Sequence, residues 1–436
     1  MVLYPVKIYT TLSTDISRIE KDLGKKKGTS MKKNCLIAQS GGPTAVINSS
    51  AVGVAFESFR SDWIDRVYAS ENGILGVLTG KYFCLNDVDF EQLKRLKTTP
   101  SSAFGSCRHR LKDWREDESE YVQIFRFFQE KNIGYFFYIG GNDSMDTVMK
   151  LSSYSKEKQL DVIILGIPKT IDNDLALTDH CPGYGSAAKY IGTSLLEIYQ
   201  DAHVYQSELV TIVEVMGRNA GWLAASSALA QYNGKRVVDL IYLPEIPFSM
   251  EQFLKDVKAC FDKTGNVLIV VSEGIRDENG VYLSDSEPLS DGFGHQQLGG
   301  VGQRLKQEVM NHITQRVKCV EFNILQRCAA HCLSETDVEE AYKVGKEAVH
   351  YAEDGKSGCM VGIRRVSDKP YLMKPDLFEI DTIANQEKKI PQKWIVSEGN
   401  YVTQECLDYM QPLIMGEKFP DYENGLPAFS VLKCGE

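Results

Sequence analysis

The chain of 436 residues has no long hydrophobic run. Its apolar stretches are strand-sized, well short of the ~20 residues that cross a bilayer, so no transmembrane helix is expected. There is no Cys-x-x-Cys pair among the eleven cysteines. That leaves neither a zinc ribbon nor a disulfide framework, and it suits a reduced, cytoplasmic protein with thiols in its core. Nor is there an excess of positive charge: 49 Lys and Arg against 59 Asp and Glu give a net charge of −10. Such a chain is a poor nucleic-acid binder, and any phosphorylated ligand must meet cations gathered in one cleft. Tandem repeats and low-complexity blocks are missing. No basic region or cleavage site frames Met1 to Tyr9 as a signal peptide, and Lys433-Cys434-Gly435-Glu436 is neither a prenylation nor a peroxisomal signal.

What is present is a repeated pattern of apolar strand, glycine turn and helix. The stretch Ile163-Ile164-Leu165-Gly166-Ile167-Pro168 reads as a buried strand, closed by Lys169-Thr170-Ile171-Asp172-Asn173-Asp174. An ammonium beside two carboxylates suits phosphoryl transfer, with one carboxylate taking a proton. The same residues would also make a polar turn whose aspartates cap the next helix. Cys35 to Ala38, Arg66 to Ala69, Tyr135 to Ile139, Leu209 to Val215, Val237 to Leu243, Val267 to Val271, Val320 to Arg327 and Cys359 to Ile363 read as further strands. Helices are expected over 45–59, 145–153, 187–202, 222–231, 304–315 and 338–351. The turns between them are Ser40-Gly41-Gly42-Pro43, Gly140-Gly141-Asn142-Asp143-Ser144, Met216-Gly217-Arg218 and Ser272-Glu273-Gly274. This alternation predicts a mostly parallel, doubly wound α/β architecture. A Gly-Gly turn serves close ligand approach or merely tight packing. Asp143 reads as a metal ligand or a helix cap, and Arg108-His109-Arg110 as an oxyanion site or a solvated basic turn. Residues 1–30 read as a surface add-on, joined through Lys25-Lys26-Lys27-Gly28, and 276–300 as a polar excursion.

Taken in order, these motifs resemble the 6-phosphofructokinase family, and within it the pyrophosphate-dependent branch. The resemblance runs from about Asn34 to Tyr351 and weakens into the tail. It implies two doubly wound domains with the active site between them: 31–184 plus 326–378 for the phosphoryl donor and 185–325 for fructose 6-phosphate, with 379–436 a tail packed on both. Asp172 looks like the base that takes the proton from the sugar's 1-hydroxyl, with Lys169 and Arg218 as its catalytic partners. Thr170, Ile171, Asp174, Met216, Gly217, Glu273, Lys318 and Arg327 look like the substrate set, Glu273 on sugar hydroxyls and Arg327 on the 6-phosphate. Gly41, through its amide, with Gly42, Gly141, Asp143 and Arg108 looks like the donor site, and Asn142 with Asp143 the Mg2+ site. The implied partners are fructose 6-phosphate, pyrophosphate and phosphate, in a homodimer or homotetramer. The first rival is the same chemistry with ATP; the second is a silent regulatory subunit that binds sugar phosphate.

Donor choice turns on Asp143 and Lys169, which stand where ATP-dependent members generally have glycine. A carboxylate ~4 Å from a nucleotide phosphate costs ~4 kcal/mol at an effective dielectric of ~20. Lys169 instead supplies a cation to the pyrophosphate. The sequence departs from the family pattern at Asn142 (an aspartate in many members), Leu209 (an arginine that crosses a subunit interface in the bacterial ATP enzymes), Lys318 (a second arginine) and Ile324 (a histidine). The metal contact is then expected at Asp143 or Asp172, or through water. Cys328, His331 and Cys332 lack a fourth zinc ligand and read as core packing. His109 and His180 read as local hydrogen-bonding residues, Lys189 and Tyr190 as helix surface, Trp222 as core.

Overall fold

The computed structural model describes residues 32–204, 207–284 and 298–432. The expected add-on over 1–30 and the middle of the 276–300 excursion lie outside the described residues.

Two parallel sheets carry the chain. The larger runs Tyr371–Glu379, Cys359–Asp368, Ile163–Pro168, Ile133–Gly140, Lys33–Gln39, Ile64–Ser70, Tyr82–Cys84. Its five inner strands are parallel and its two edge strands antiparallel. The smaller runs Val317–Glu321, Leu209–Val215, Asn266–Ser272, Leu240–Tyr242, all parallel. These strands read as unbroken apolar runs because helices cover both faces of a parallel sheet and leave no wet side.

Lys33–Gln39 pairs with Ile64–Ser70 on one side and Ile133–Gly140 on the other. The chain leaves that central strand first one way and later the other. A crevice therefore opens beyond its carboxyl end, bounded by the turns at 40–43 and 140–143. The helix Ile47–Arg60, which follows the first turn, lies against Glu335–Glu353, and the two meet at glycines. A Cβ on Gly53 would stand 2.2 Å from the Tyr342 carbonyl oxygen, and one on Gly345 2.0 Å from that of Ser50.

Several elements differ from the sequence expectation. The strand read as Val320 to Arg327 ends at Glu321, because Asn323 turns into the left-handed region (φ 41°) and takes the chain off the ladder. Arg327 sits instead on the one-turn helix Leu325–Cys328. The helix expected over 222–231 stops as Trp222–Ser226. Gln231–Tyr232 then folds back on Lys235–Arg236 across Asn233 and Gly234, both at positive φ. Val237 to Leu243 shortens to Leu240–Tyr242. The antiparallel partner Tyr371–Glu379 was not foreseen.

The tail packs against the smaller sheet's helices. Tyr401, Cys406, Met410 and Leu413 share a core with Trp222, whose ring centroid lies 6.1 Å from that of Trp394 and 5.4 Å from that of Tyr409. Lys189 is not plain helix surface: its Nζ bonds Glu417 and the Leu333 and Gly416 carbonyls, and Tyr190 is buried. Among the described residues no helix is long and apolar enough to cross a membrane.

Candidate active site

The strand ends of both sheets face one cleft of about 530 Å3. On the larger sheet, Gly41 turns the chain at φ +78°, and the turn is sewn to 106–107. Gly41 N–H donates to the Cys107 carbonyl at 3.1 Å, and Ser106 Oγ donates to the Gly41 carbonyl at 2.6 Å. This brings Arg108 to the glycines. The Gly41 amide thus already has a protein acceptor, which a donor phosphate would have to share or displace.

Lys169 enters the same turn. Its side chain is 2% exposed, and its Nζ donates to the Gly42 carbonyl at 2.5 Å. A Cβ on Gly41 would stand 3.2 Å from that Nζ; one on Gly42 would stand 3.3 Å from Arg327 Nη1 and 4.0 Å from Arg108 Nη2. Three cations thus crowd two glycines, and a side chain at either would fill the space between them. Burial pushes the Lys169 ammonium down to about 8, against the pull of Asp172, and Arg108 and Arg327 add to the fall. A buried cation in positive surroundings is a seat for an anion.

Across the cleft stand carboxylates. Asp172 N–H donates to Thr170 Oγ1 at 3.0 Å, and Thr170 Oγ1 donates to Asp172 Oδ2 at 3.3 Å. Burial raises the Asp172 pKa, opposed by Arg218, Thr170, Lys169 and Arg327. Burial, with Asp172 and Glu387 alongside, raises Asp174 to about 7. Glu273 is likewise raised to about 7 by burial and by Asp172. Behind the loop, Asn173 (φ 53°) takes the Cys181 N–H at 3.0 Å and donates to Tyr409 Oη at 3.0 Å, which locks the loop's shape.

The smaller sheet contributes the turns after Leu209–Val215 and Asn266–Ser272. Gly217 (φ +135°) carries them together: its carbonyl accepts Ser272 Oγ at 2.5 Å and its N–H reaches Glu273 Oε1 at 3.4 Å. A Cβ on Gly274 would stand 2.0 Å from the Arg218 carbonyl, so the two turns touch backbone to backbone.

Of the residues singled out in sequence, Gly41, Gly42, Arg108, Gly141, Asn142, Asp143, Lys169, Thr170, Ile171, Asp172, Asp174, Met216, Arg218, Glu273 and Arg327 line the cleft. Two do not. Gly217 supports the wall from behind. Lys318 lies on the strand Val317–Glu321, outside its own chain's cleft, with Nζ 3.0 Å from Asp201. Asn142 is in the cleft, but its side-chain amide is committed: Nδ2 donates to the Gln386 carbonyl and Oδ1 accepts the Asn385 N–H, both at 2.8 Å.

Arg110, read in sequence as part of an oxyanion site or a solvated basic turn, lines the cleft; Asn219, Asn385 and Glu387, which line it too, were missed. Asn219 adjoins Arg218, already singled out, and that adjacency was the available signal. Asn385 and Glu387 follow no strand and no glycine turn, so nothing local marks them. His109 bonds Glu120 at 2.7 Å, and His180 lies between Asp179 (2.8 Å) and Glu340 (2.6 Å), both away from the cleft wall.

The chain matches the family model described as Phosphofructokinase over residues 34–352. It is 42% identical over 402 residues to pyrophosphate–fructose 6-phosphate 1-phosphotransferase of Halomonas elongata, covering 92% of this chain and 96% of the relative. The protein of the same name from Methylococcus capsulatus is 42% identical over 404 residues, with the same coverage. Among solved structures, the pyrophosphate-dependent phosphofructokinase of Nitrosospira multiformis superposes with a TM-score of 0.85 at 39% identity, covering 92% of this chain and 97% of that one.

Proposed function

The chain belongs to the phosphofructokinase family, and from that premise and the cleft we infer its reaction. It transfers a phosphoryl group from pyrophosphate to the 1-hydroxyl of fructose 6-phosphate, giving fructose 1,6-bisphosphate and phosphate. The observation that carries the donor choice is Lys169 Nζ buried on the Gly42 carbonyl, with Asp143 facing the same cleft from the first turn of Asn142–Glu157. A cation inside the glycine turn meets a compact anion, and a carboxylate at the helix start repels a longer nucleotide.

The roles follow from placement. Asp172 takes the proton of the 1-hydroxyl as that oxygen attacks the near phosphorus and the bridging P–O bond breaks. Its raised pKa brings it nearer the range where a general base works well. Lys169 and Arg108 offset the charge that grows on the departing phosphate, and Arg218 stands by the phosphoryl in flight. Glu273 and Met216 hold the sugar, Thr170, Ile171 and Asp174 shape the loop, and Arg327 meets the 6-phosphate. The larger sheet, 31–184 with 326–378, is the donor unit; 185–325 is the sugar unit.

Enzymes of this family generally use a divalent metal, and we take it to be Mg2+. Among the described residues no three His, Cys, Asp or Glu gather closely enough to hold an ion alone. The crowding of Asp174 by Asp172 and Glu387 nevertheless marks one wall as short of positive charge. Mg2+ suits such a wall, because it takes one or two carboxylates and completes its shell with phosphate oxygens and water. Asp143 and Asp172 would hold it; Asn142, committed to the tail, would touch it only through water. When bound, the ion neutralises charge on the diphosphate.

Lys318 lies outside its own chain's cleft, so its expected contact with the 6-phosphate requires a second copy. A homodimer or homotetramer supplies that copy. The ten described cysteines are all free, which suits the cytoplasm. The test of the whole reading is a pair of initial rates, with pyrophosphate and with ATP, at matched Mg2+. Turnover with pyrophosphate at least ~100-fold faster is expected. Faster turnover with ATP would overturn the donor choice, and no turnover with either would favour a silent regulatory subunit.

A further inference from the structure

The C-terminal tail reaches the cleft as a four-residue strap, 385–388, tied to the start of the Asn142–Glu157 helix, to the 173–179 stretch and to Asn219. Asn385 donates its N–H to Asn142 Oδ1, and Asn142 Nδ2 donates back to the Gln386 carbonyl, both at 2.8 Å. Asn385 Nδ2 also reaches Asp146 Oδ1 at 3.2 Å, one helical turn beyond Asn142. Its left-handed backbone, φ 63°, turns the chain down onto that helix. Glu387 bridges Leu175 through its backbone and takes Asn219 Nδ2 on Oε1 at 2.6 Å. Lys388 donates its N–H to the Asp174 carbonyl at 2.7 Å, and its Nζ donates to the Asp179 carbonyl at 2.8 Å and to Asn173 Oδ1 and the Thr178 carbonyl at 3.2 Å. The strap therefore joins the first turn of Asn142–Glu157 to the 169–174 loop and to the turn of the smaller sheet.

The glycine turn, Lys169, the start of the Asn142–Glu157 helix and Asn385 line one cleft, and Lys169 N–H is tied to the Gly140 carbonyl at 2.9 Å, so a diphosphate seated on Gly42 and Lys169 would extend toward that helix start. A longer donor continuing along that helix runs into Asn385, which spans the helix from Asn142 to Asp146. We propose that the 385–388 strap is the end wall of the donor pocket and fixes its length, admitting a diphosphate and refusing a longer polyphosphate. This steric limit is separate from the charge of Asp143, and it rests on the donor assignment above. Asn142 is the strap's anchor. An amide donates and accepts at once, as the two backbone bonds require, and a carboxylate would only accept.

The test is equilibrium binding, by calorimetry, of inorganic diphosphate and inorganic triphosphate to the full chain with Mg2+. Two variants are compared with the parent: Asn142→Ala, which frees both backbone anchors, and Asn385→Gly, which keeps the left-handed turn and removes the bond to Asp146. The parent is expected to favour diphosphate by at least about tenfold, and each variant to shrink that ratio by about tenfold. A ratio unchanged in both variants, including one where both affinities fall together, assigns the strap a structural role alone and overturns the proposal. So does a parent that binds triphosphate as tightly as diphosphate. Parent turnover with pyrophosphate is measured separately, so an error in the donor assignment shows as absent turnover rather than as a changed ratio.

Discussion

At the scale of the residue, the cleft is a place where like charges are held close, with Lys169 buried and the carboxylates Asp172, Asp174 and Glu273 only partly exposed to the solvent that would screen them. Lys169 has its ammonium brought down to about 8 by burial. It is charged below that pH and loses its charge as pH rises through it. The kcat/KM for pyrophosphate should therefore fall above about pH 8 once the ionisation of pyrophosphate itself is allowed for. In Lys169→Arg, which stays charged, that alkaline limb should vanish from the range below pH 10, at ~10-fold or greater loss of rate because the guanidinium does not fit the Gly42 carbonyl. A limb at the same pH in the variant would assign it to another group. Glu273 acts on stability. Its folded pKa of about 7 lies above the ordinary value of 4.5 for a glutamate, so its contribution is present at low pH and is lost as pH rises through about 7. Glu273→Gln removes the ionising group and keeps an oxygen for the Gly217 N–H. Its Tm should match the parent at pH 4.5 and exceed it by ~1–3 °C at pH 8 in thermal scans. The same change should cost ~10-fold or more in kcat/KM for fructose 6-phosphate.

At the scale of the element, the donor turn is only as firm as the helices behind it. Ile47–Arg60 and Glu335–Glu353 approach until Gly53 and Gly345 each press on a carbonyl of the other helix. A methyl at either position would have no room, and backbone cannot yield as a flexible side chain can. Gly345→Ala should destabilise by ~1–3 kcal/mol or more, read as a lowered urea midpoint, with the donor KM rising because Gly41 and Gly42 precede the displaced helix. An unchanged midpoint would mean that the helices part without cost. The strap and the 169–174 loop show the same dependence in another form. Asn173 gives its amide to Tyr409 and Cys181, so the shape of the catalytic loop is held by residues more than 200 positions downstream as well as by its neighbours.

At the scale of the whole molecule, the net charge of −10 coexists with a cleft in which Lys169, Arg108, Arg218 and Arg327 converge. Cations spread over the surface would hold a diphosphate weakly; gathered at one set of strand ends they hold it well. The remaining cation of the expected set, Lys318, lies elsewhere, on the smaller sheet's edge strand. If it serves a second copy's cleft, Lys318→Ala should raise the KM for fructose 6-phosphate ~10-fold while the KM for pyrophosphate holds. Mixing Lys318→Ala with Asp172→Asn, after dissociation and reassembly, should then restore part of the activity, because some clefts regain both groups. Mixtures no more active than the sum of the two variants would show that each cleft is complete within one chain.

The sequence by itself determined the strands, the turns that close them and the chemistry those turns carry. Parallel strands buried on both faces must be apolar throughout, and a ligand turn at their ends must supply glycine and charge within a few residues. Cys35 to Ala38, Tyr135 to Ile139 and Leu209 to Val215 were legible for that reason, as were Lys169, Asp172 and Arg218. Only the tertiary structure decided which amides were still available and which distant segment closed the cleft. Gly41 spends its N–H on Cys107, Asn142 spends its amide on the tail, and Arg327 leaves its strand at Asn323. Asn385 and Glu387 reach the site from a stretch with no local pattern. Such contacts are set by where the chain returns in space, and spacing along the sequence carries no record of that.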